Sequence, residues 1–338
     1  MRRATPELLE RTRVMVEPAL IEAVGRLPAS LALPIRYHFG WIDSAGVPLP
    51  NPRHGKGIRP TLALLSAEAV GAAAEVALPG ALAVEIVHNF SLVHDDIIDN
   101  DPERRHRATV WKAFGAGDAI IAGDAMMLLG LELLLDRPAL PRVAAAADLA
   151  EATASMIAGQ HMDMSFDRAE AVDVDLCWEM VSLKTGALLA HAAAVGAILA
   201  GASEGTVGGL RSFGLELGRG FQAIDDLLGI WGDPSVTGKP AGNDLRERKK
   251  SIPVAVALAS GSRAGERLAD LYARERLDDD GIEAAAALVE EAGGRDATVS
   301  AARDCMRRAA DALRGADIDP QVAEELVDLA AFVVERDF

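Results

Sequence analysis

The chain has 338 residues, of which half are hydrophobic but only 4% aromatic, and it carries a net charge of −17. Apolar content dominated by Ala, Leu, Val and Ile favours helices over β-sandwiches. The negative charge disfavours nucleic acid and anionic membranes as partners, so a bound polyanion would need a local cluster of cations. The two cysteines, Cys177 and Cys305, are too few for a disulfide framework and are typical of a cytoplasmic protein.

The predicted elements are helices from one end of the chain to the other. The first residues run into a charged stretch and lack the apolar block of a signal peptide. Apolar residues at three- and four-residue intervals then predict a series of helices. Breaks rich in Gly, Pro, Asn and Asp separate them without a composition shift that would indicate a second domain. The clearest helical segments are Leu62–Ala74, Leu82–His94, Val143–Ala158, Val181–Ala200 and Val322–Glu335.

Two patterns are missing from the sequence. Alternating strand-like runs joined by hairpin turns are not found, which disfavours a parallel-sheet enzyme. Charged residues interrupt the apolar runs before they reach the ~20 residues of a membrane span. We therefore expect an all-α protein in which residues 1–338 form one large helical domain, with no integral membrane segment.

An acidic cluster, Asp95-Asp96-Ile97-Ile98-Asp99, follows a long apolar run. Residues four apart share a helix face, so Asp95 and Asp99 are expected to present their carboxylates side by side. Unpaired, these like charges would be destabilising. A hard divalent cation relieves the repulsion, and carboxylates combined with substrate phosphates are the usual ligands of Mg²⁺.

A second acidic cluster, Asp225-Asp226-Leu227-Leu228-Gly229, also follows an apolar run. Either cluster alone could be a solvated helix end, since acidic pairs near helix termini are common. Two clusters embedded in apolar sequence favour another arrangement, in which two helices face each other and line one cavity with carboxylates.

Basic residues group beside both acidic clusters, where a metal-bridged diphosphate would need direct contacts. The first of them lie in the segment Gly55–Pro60, whose glycines permit close approach of the backbone to an anion. This segment is not a Walker-type phosphate loop, so ATP chemistry is not indicated. Any one of these cations could instead form an ordinary surface ion pair. The group comprises Lys56, Arg59, Arg104, Arg105, Lys184, Lys239, Lys249 and Lys250.

In this order, the motifs resemble those of the class I trans-isoprenyl diphosphate synthases, also called polyprenyl synthetases. The first DDxxD motif of that family is matched by Asp95–Asp99, and the paired arginines follow it. His88 lies where the family has a histidine that binds isopentenyl diphosphate. The Gly-Lys-x-x-Arg-Pro, GQxxD, KT and FQxxDD motifs are matched by Gly55–Pro60, Gly159–Asp163, Lys184-Thr185 and Phe221–Asp226. Gly229 departs from the pattern, because many members have an aspartate there, and weaker support of the metal is expected.

The resemblance implies a helical bundle of the isoprenoid synthase type with a central cavity, present as a homodimer in the cytoplasm. It also implies Mg²⁺ as cofactor, with isopentenyl diphosphate and an allylic prenyl diphosphate as substrates. The implied metal ligands are Asp95, Asp99 and Asp225. The reaction would condense the two substrates into a short-chain all-trans prenyl diphosphate and release pyrophosphate.

The resemblance also implies a role for each remaining site residue. The allylic diphosphate is expected to be bound by Arg104, Lys184, Lys239 and Lys249. The isopentenyl diphosphate is expected to be bound by Lys56, Arg59, His88 and Arg105. The residues expected to orient the ligands are Gln160, Asp163, Thr185 and Gln222, of which Gln222 would also lie near the developing positive charge. A packing or capping role remains open for Gln160 and Thr185. The expected catalytic residues are Asp95, Asp99, Asp225, Lys184 and Gln222.

Product length is expected to depend on residues that precede Asp95 on the same helix. Ser91 is four residues before Asp95 and small, whereas Phe90 is five before and large. An aromatic residue followed by a small one, with no insertion in the DDxxD motif, resembles the synthases that make geranylgeranyl diphosphate. We therefore favour this product over the shorter farnesyl diphosphate.

Three other functions are alternatives to a prenyl diphosphate synthase. A class I terpene cyclase shares the fold but normally carries a different second metal motif, and it needs no isopentenyl diphosphate. A non-catalytic subunit of a heteromeric synthase is favoured only by Gly229, and it would release no pyrophosphate on its own. A purely structural helical protein does not account for so many ordered motifs.

Overall fold

The computed structural model describes residues 5–50, 55–166, 169, 172–233, 241–274 and 276–334. Their regular elements are helices, apart from one short hairpin and an isolated bridge between Ile42 and Pro48, so the expected all-α class is confirmed. Contacts divide the chain into two compact units. Unit 1 comprises Met1–Glu151, His191–Arg211 and Ala316–Leu326, and unit 2 comprises Ala152–Ala190, Ser212–Gly315 and Val327–Phe338.

The helices are numbered in chain order over the described residues. The first eight are α1 (Thr5–Gly25), α2 (Ala29–His38), α3 (Ile58–Ala69), α4 (Leu78–Ile98), α5 (Val110–Phe114), α6 (Ala116–Leu135), α7 (Leu140–Phe166) and α8 (Val174–Val181). The next eight are α9 (Ala187–Leu199), α10 (Glu204–Trp231), α11 (Asn243–Arg246), α12 (Ile252–Ala259), α13 (Arg263–Tyr272), α14 (Asp279–Glu291), α15 (Gly294–Arg314) and α16 (Pro320–Val334). The hairpin strands are β1 (Glu103–Arg104) and β2 (Arg107–Ala108).

Helix α4 is the central element of unit 1 and packs along α6. Its apolar side chains are buried, among them Ile86, Val87 and Phe90. This burial fixes the rotation of the helix about its axis. The first acidic cluster therefore occupies a defined position, at the C-terminal end of a rigid core helix.

The third helix differs from the prediction, which placed a helix over Leu62–Ala74. In the structure α3 ends at Ala69. Gly71 adopts a positive φ of 78°, and its N–H donates to the Glu68 carbonyl. This is the common glycine C-cap, which a count of apolar residues does not detect.

The helix predicted over Val181–Ala200 is also interrupted. Residues Ser182–Gly186 form a π-helical turn between α8 and α9. Such turns are rare and insert one extra residue into a helix, which changes the direction of the side chains that follow. Lys184 and Thr185 lie within this turn.

The core of unit 2 surrounds the end of α10. Ala223, Ile224 and Leu227 are buried there in a cluster that includes Cys177 and Ile252. These apolar residues immediately flank the second acidic cluster. The packing of α10 thus holds that cluster in place, as the packing of α4 does for the first.

Two helical stretches of the described chain, Ala74–Ile98 and Val174–Leu199, are long and apolar enough to cross a bilayer. However, 61% and 72% of their apolar windows are buried inside the protein. Core helices of large proteins pass the same test, so these stretches are weak evidence for membrane spans.

Candidate active site

The first acidic cluster divides between two environments. Asp95 is half-buried and Asp99 is exposed at the end of α4. Asp96, between them, is only 1% exposed and accepts a hydrogen bond of 2.7 Å from Arg104 Nε. Burial raises the pKa of Asp96, and the charge of Arg104 partly offsets this. The outer two carboxylates are thus accessible to a ligand, whereas the middle one anchors an arginine.

The outer carboxylates fit a magnesium ion by their chemistry. Asp95 and Asp99 supply hard oxygen donors one helical turn apart. The described residues contain no group of three or more His, Cys, Asp or Glu side chains that would enclose a metal. Mg²⁺ is commonly bound by one or two carboxylates and completes its coordination with substrate phosphates and water.

Arg104 and Arg105 lie on the hairpin, which the sequence did not predict. Glu103 pairs with Ala108 and Arg104 with Arg107 in antiparallel register. The turn between the strands is formed by Arg105 and His106, with φ values of 54° and 61°. Hairpin turns of this geometry normally carry Asn or Gly. This short hairpin has no sequence signal because neither turn residue is Asn or Gly, and it does not alter the all-α class.

A cationic cluster lies beside the hairpin in unit 1, where Arg59 and His88 are half-buried and Arg105 is exposed. The Nε atom of Arg59 is itself buried and has no hydrogen-bond partner among the described residues. Burial lowers the pKa of Arg59 to about 10, although the negative charge of Glu85 opposes this. Burial also lowers the pKa of His88 well below its ordinary value, with further contributions from the charges of Arg59 and Arg105. These groups therefore gain from a bound anion.

The segment Gly55–Pro60 contributes to the same region. A Cβ atom built on Gly55 would lie 3.4 Å from Nη2 of Arg105, so the glycine backbone lies against this guanidinium. Lys56 is exposed. The structure thus brings together four of the residues expected to bind isopentenyl diphosphate: the segment holding Lys56 and Arg59, and the side chains of His88 and Arg105.

Sequence reasoning missed three polar residues at this cluster. Asn89 donates to the carbonyl oxygen and to Oε1 of Glu85, at 2.8 and 3.1 Å. His38 Nε2 lies 3.0 Å from Asn89 Oδ1, so the orientation of Asn89 makes Nε2 the donor. Burial lowers the pKa of His38 to about 3, and nearby Arg105 contributes. Glu85 lies three residues before His88 and Asn89 one residue after it, and that proximity in sequence was their only signal.

In unit 2, the predicted GQxxD and KT motifs meet directly. Lys184 Nζ donates to Asp163 Oδ2 at 2.5 Å. A Cβ atom on Gly159 would overlap the backbone of Lys184, with only 2.7 Å to its Cα. The glycine of the GQxxD motif therefore allows α7 to touch the π-helical turn. Gln160 has a buried Oε1 atom for which the described part of the chain offers no hydrogen-bond partner.

A second chain of hydrogen bonds runs from the π-helical turn to α10. Thr185 Oγ1 donates to Gln222 Oε1 at 2.9 Å, and Gln222 Nε2 donates to Asp226 Oδ1 at 3.0 Å. The N–H of Ile252, at the start of α12, donates to Asp226 Oδ2 at 2.9 Å. Burial raises the pKa of Asp226 to about 7, although the bonds from Gln222 and Ile252 oppose this. Asp225 is only half-buried.

The departure at Gly229 has a steric cause in this structure. A Cβ atom at that position would overlap the carboxylate of Asp244 on α11, with 2.9 Å to Oδ1. Asp244 thus fills the space in which a side chain at position 229 would begin. Position 229 of α10 carries no carboxylate, and the Asp244 carboxylate of α11 lies next to that position instead.

Four residues of the predicted site remain to be placed: Lys249, Lys239, Phe90 and Ser91. Lys249 is half-buried, and its Nζ lies 3.2 Å from Glu247 Oε2. Lys239 lies outside the described residues. Phe90 is 4% exposed and makes an edge-to-face contact with His94 at 5.5 Å. Ser91 is half-buried, and its hydroxyl donates to the His88 carbonyl.

Comparison with known proteins identifies the same family that the sequence motifs resemble. The polyprenyl synthetase family model matches residues 50–289. The chain is 43% identical to a (2E,6E)-farnesyl diphosphate synthase of Mycobacterium tuberculosis over 341 residues, covering 99% of this chain and 94% of the relative. It is 39% identical over 332 residues to a geranylgeranyl diphosphate synthase of the same organism, with 98% and 93% covered.

A solved structure extends this similarity to the fold. A polyprenyl synthetase from Streptomyces coelicolor superposes with a TM-score of 0.92 at 48% identity, covering 97% of this chain and 98% of that one. The all-α isoprenoid synthase fold therefore extends over nearly the whole chain. With the family motifs in order and the relatives matched almost end to end, the chain belongs to the polyprenyl synthetase family.

Proposed function

We propose that this chain is a Mg²⁺-dependent trans-prenyltransferase that condenses isopentenyl diphosphate with an allylic diphosphate. The proposed product is geranylgeranyl diphosphate, and pyrophosphate is released. The observation that carries this proposal is the cationic cluster of unit 1, in which the buried Nε donor of Arg59 is unsatisfied next to His88. A buried donor without a hydrogen bond is costly, and a diphosphate oxygen would relieve that cost.

The isopentenyl diphosphate would be held by this cluster. Arg59 and Arg105 would donate to its phosphate oxygens, and Lys56 would approach from the exposed edge of the segment. The anion's negative charge would raise the pKa of His88, whose imidazole could then donate as well. Fixing the diphosphate in this way orients the double bond of the substrate for attack.

The allylic diphosphate would be held by a second set of cations. Arg104 is already oriented by Asp96, and Lys184 by Asp163. We propose that these two residues, with Lys239 and Lys249, stabilise the charge that develops as the carbon–oxygen bond breaks. Lys184 is rigidly placed because its turn is tied to α10 through Thr185 and Gln222.

Asp95, Asp99 and Asp225 are the proposed magnesium ligands. When bound, magnesium acts as a Lewis acid that stabilises the leaving pyrophosphate. The double bond of isopentenyl diphosphate then attacks the allylic cation and forms the new carbon–carbon bond. Gln222 is proposed to lie near the developing positive charge, and the departing pyrophosphate accepts the proton that is finally lost.

The product assignment rests on α4. Phe90 and Ser91 are proposed to set the depth available to the growing chain. The relatives include both a farnesyl and a geranylgeranyl diphosphate synthase at similar identity, 43% and 39%. The longer product is favoured because Ser91 is small and Phe90 turns toward His94 rather than along the face of Asp95.

We further propose that the chain functions as one synthase domain and as a cytoplasmic homodimer without a membrane segment. The support for a dimer is a stripe of apolar residues on α6. Ile121, Leu128 and Leu135 recur every seven residues and are 51%, 58% and 44% exposed. A recurrent exposed apolar stripe of this kind suits a helix that packs against a partner.

The function is tested by incubating the purified chain with labelled isopentenyl diphosphate and a dimethylallyl, geranyl or farnesyl primer. The dephosphorylated products are then separated by chromatography. We expect elongation to geranylgeraniol with Mg²⁺ and none with EDTA. Conversion of an allylic diphosphate without isopentenyl diphosphate would indicate a terpene cyclase. No pyrophosphate release by the chain alone would indicate a non-catalytic subunit.

A further inference from the structure

The hairpin of unit 1 contains an unfavourable turn. Arg105 and His106 both have left-handed backbone conformations, with φ values of 54° and 61°. Side chains with a Cβ atom are disfavoured in this region, and arginine lacks the short polar side chain that helps asparagine to adopt it. Two consecutive residues of this kind persist only where surrounding contacts hold them.

Strand β2 is held against the C-terminal end of α2 by one arginine. Arg107 Nη1 donates to the Tyr37 carbonyl at 3.0 Å, and Nη2 donates to the Ile42 carbonyl at 2.9 Å. Its guanidinium also lies 4.3 Å from the centre of the Tyr37 ring. Only a planar, forked cation can make both hydrogen bonds and the stacking contact at once.

A tyrosine makes the reciprocal contact. Tyr37 Oη donates to the Ala108 carbonyl of β2 at 2.8 Å. The ring is 7% exposed and is fixed by an edge-to-face contact with Phe114, 5.2 Å between centres. Tyr37 and Arg107, here called the hairpin clamp, therefore tie both the backbone and a side chain of β2 to α2.

The other strand is anchored separately. Arg104, on β1, is bound to the buried carboxylate of Asp96. Among the described residues, the Arg105 guanidinium makes no hydrogen bond or ion pair of its own, and its backbone lies in the turn that joins the two strands. The clamp on β2 therefore helps to set where the Arg105 guanidinium lies, against Gly55 and near His88.

We propose that Tyr37 and Arg107 are positioning residues that hold Arg105 in place for the diphosphate of isopentenyl diphosphate. This role rests on the proposed function. The clamp maintains a strained turn whose first residue is the ligand-binding arginine.

The test compares steady-state kinetics of the full-length wild type with Tyr37→Phe and Arg107→Lys. The phenylalanine variant removes one hydroxyl and keeps the ring. The lysine variant keeps the positive charge but loses the planar guanidinium that donates both hydrogen bonds. We expect KM for isopentenyl diphosphate to rise about tenfold in each, with KM for the allylic primer changed less than about twofold. Thermal unfolding identifies variants that fail to fold. Arg36→Lys, an exposed arginine next to Tyr37, is the matched control.

A rescue experiment separates positioning from general stability. His106→Gly removes the strain at the second turn residue, because glycine adopts a positive φ freely. In the Tyr37→Phe background it should recover at least half of the lost affinity for isopentenyl diphosphate. Equal increases in KM for isopentenyl diphosphate and for the allylic primer, or no change in either, would overturn the proposed positioning role of Tyr37 and Arg107. A wild-type chain without any synthase activity would instead refute the proposed function.

Discussion

Burial determines the chemistry of single residues at this site. Asp96 and Arg59 carry charges of opposite sign in partly apolar surroundings, yet only Asp96 has a charged hydrogen-bond partner, Arg104. Arg59 has Glu85 near enough to affect its pKa but retains a buried donor without a partner. The asymmetry leaves the cationic cluster in need of an anion, which is the property a diphosphate site requires.

The sequence predicted charged residues better than their neutral neighbours. Asp95, Asp99 and Asp225 could be recognised because acidic clusters are unusual within apolar runs. His38 and Asn89 could not, since a lone polar residue carries no pattern and its importance depends on tertiary contacts. The anchoring of Arg104 by Asp96 was also hidden, because it depends on a hairpin that brings residues eight apart into contact.

Gly229 leads to a prediction about local packing. Gly229→Ala places a Cβ atom where the Asp244 carboxylate lies, so the carboxylate must move. We expect a fall in the free energy of unfolding of about 1–3 kcal/mol and a loss of turnover of about tenfold or more. Urea denaturation and pyrophosphate release measure the two effects.

The double variant Gly229→Ala/Asp244→Ala removes the clash and should recover most of the stability but not the activity. Additive destabilisation by the two substitutions would contradict the steric account. Gly208→Ala is the control, because Gly208 lies on the same helix with open space around its Cβ position.

At the scale of elements, the long helices were predictable and their interruptions were not. Apolar periodicity located α4 and α7 because their buried faces are regular. The π-helical turn at Ser182–Gly186 leaves the composition of its helix unchanged and is stabilised by neighbours distant in sequence. The hairpin was missed for a similar reason, since its turn lacks the usual Asn and Gly residues.

The π-helical turn should be sensitive to the helix that touches it. Gly159→Ala puts a methyl group against the backbone of Lys184, which cannot rotate away as a side chain could. We expect a loss of about 1–3 kcal/mol in the free energy of unfolding and a higher KM for the allylic primer. Urea denaturation and steady-state kinetics measure these changes, with Gly208→Ala again as control. A stable Gly159→Ala variant with normal kinetics would show that α7 does not position Lys184.

The predicted role of Phe90 in product length can also be tested. Phe90 shares the α6-facing side of α4 with Val87 and His94, whereas Ser91 lies nearer the face of Asp95. We expect Phe90→Ala to lengthen the product, because removing the ring leaves space between α4 and α6 for a longer chain. The dephosphorylated products are compared by chromatography at equal conversion. An unchanged distribution would mean that Phe90 serves only the packing of α4 against α6.

At the scale of the whole molecule, the family assignment rests on agreement between motif order, fold and relatives. The sequence motifs alone indicated the family. Neither the product nor the oligomeric state follows from that assignment, since both depend on surfaces formed by several helices.

The proposed dimer is tested by Leu128→Glu, which places a charge in the middle of the exposed α6 stripe. Light scattering coupled to size-exclusion chromatography should report a dimer for the wild type and a monomer for the variant, because a buried unpaired charge is costly. Val14→Glu changes another exposed apolar residue of unit 1 and should remain dimeric. A monomeric wild type would refute the proposal.

The central claim is that both acidic clusters are needed to ionise the allylic diphosphate. The most direct measurement is magnesium-dependent pyrophosphate release by Asp95→Ala and Asp225→Ala, with circular dichroism to monitor the fold and the exposed Asp136→Ala as control. The account predicts native helix content and a fall in kcat of about 10³-fold or more in each of the two variants. Near-normal turnover in either variant would contradict it.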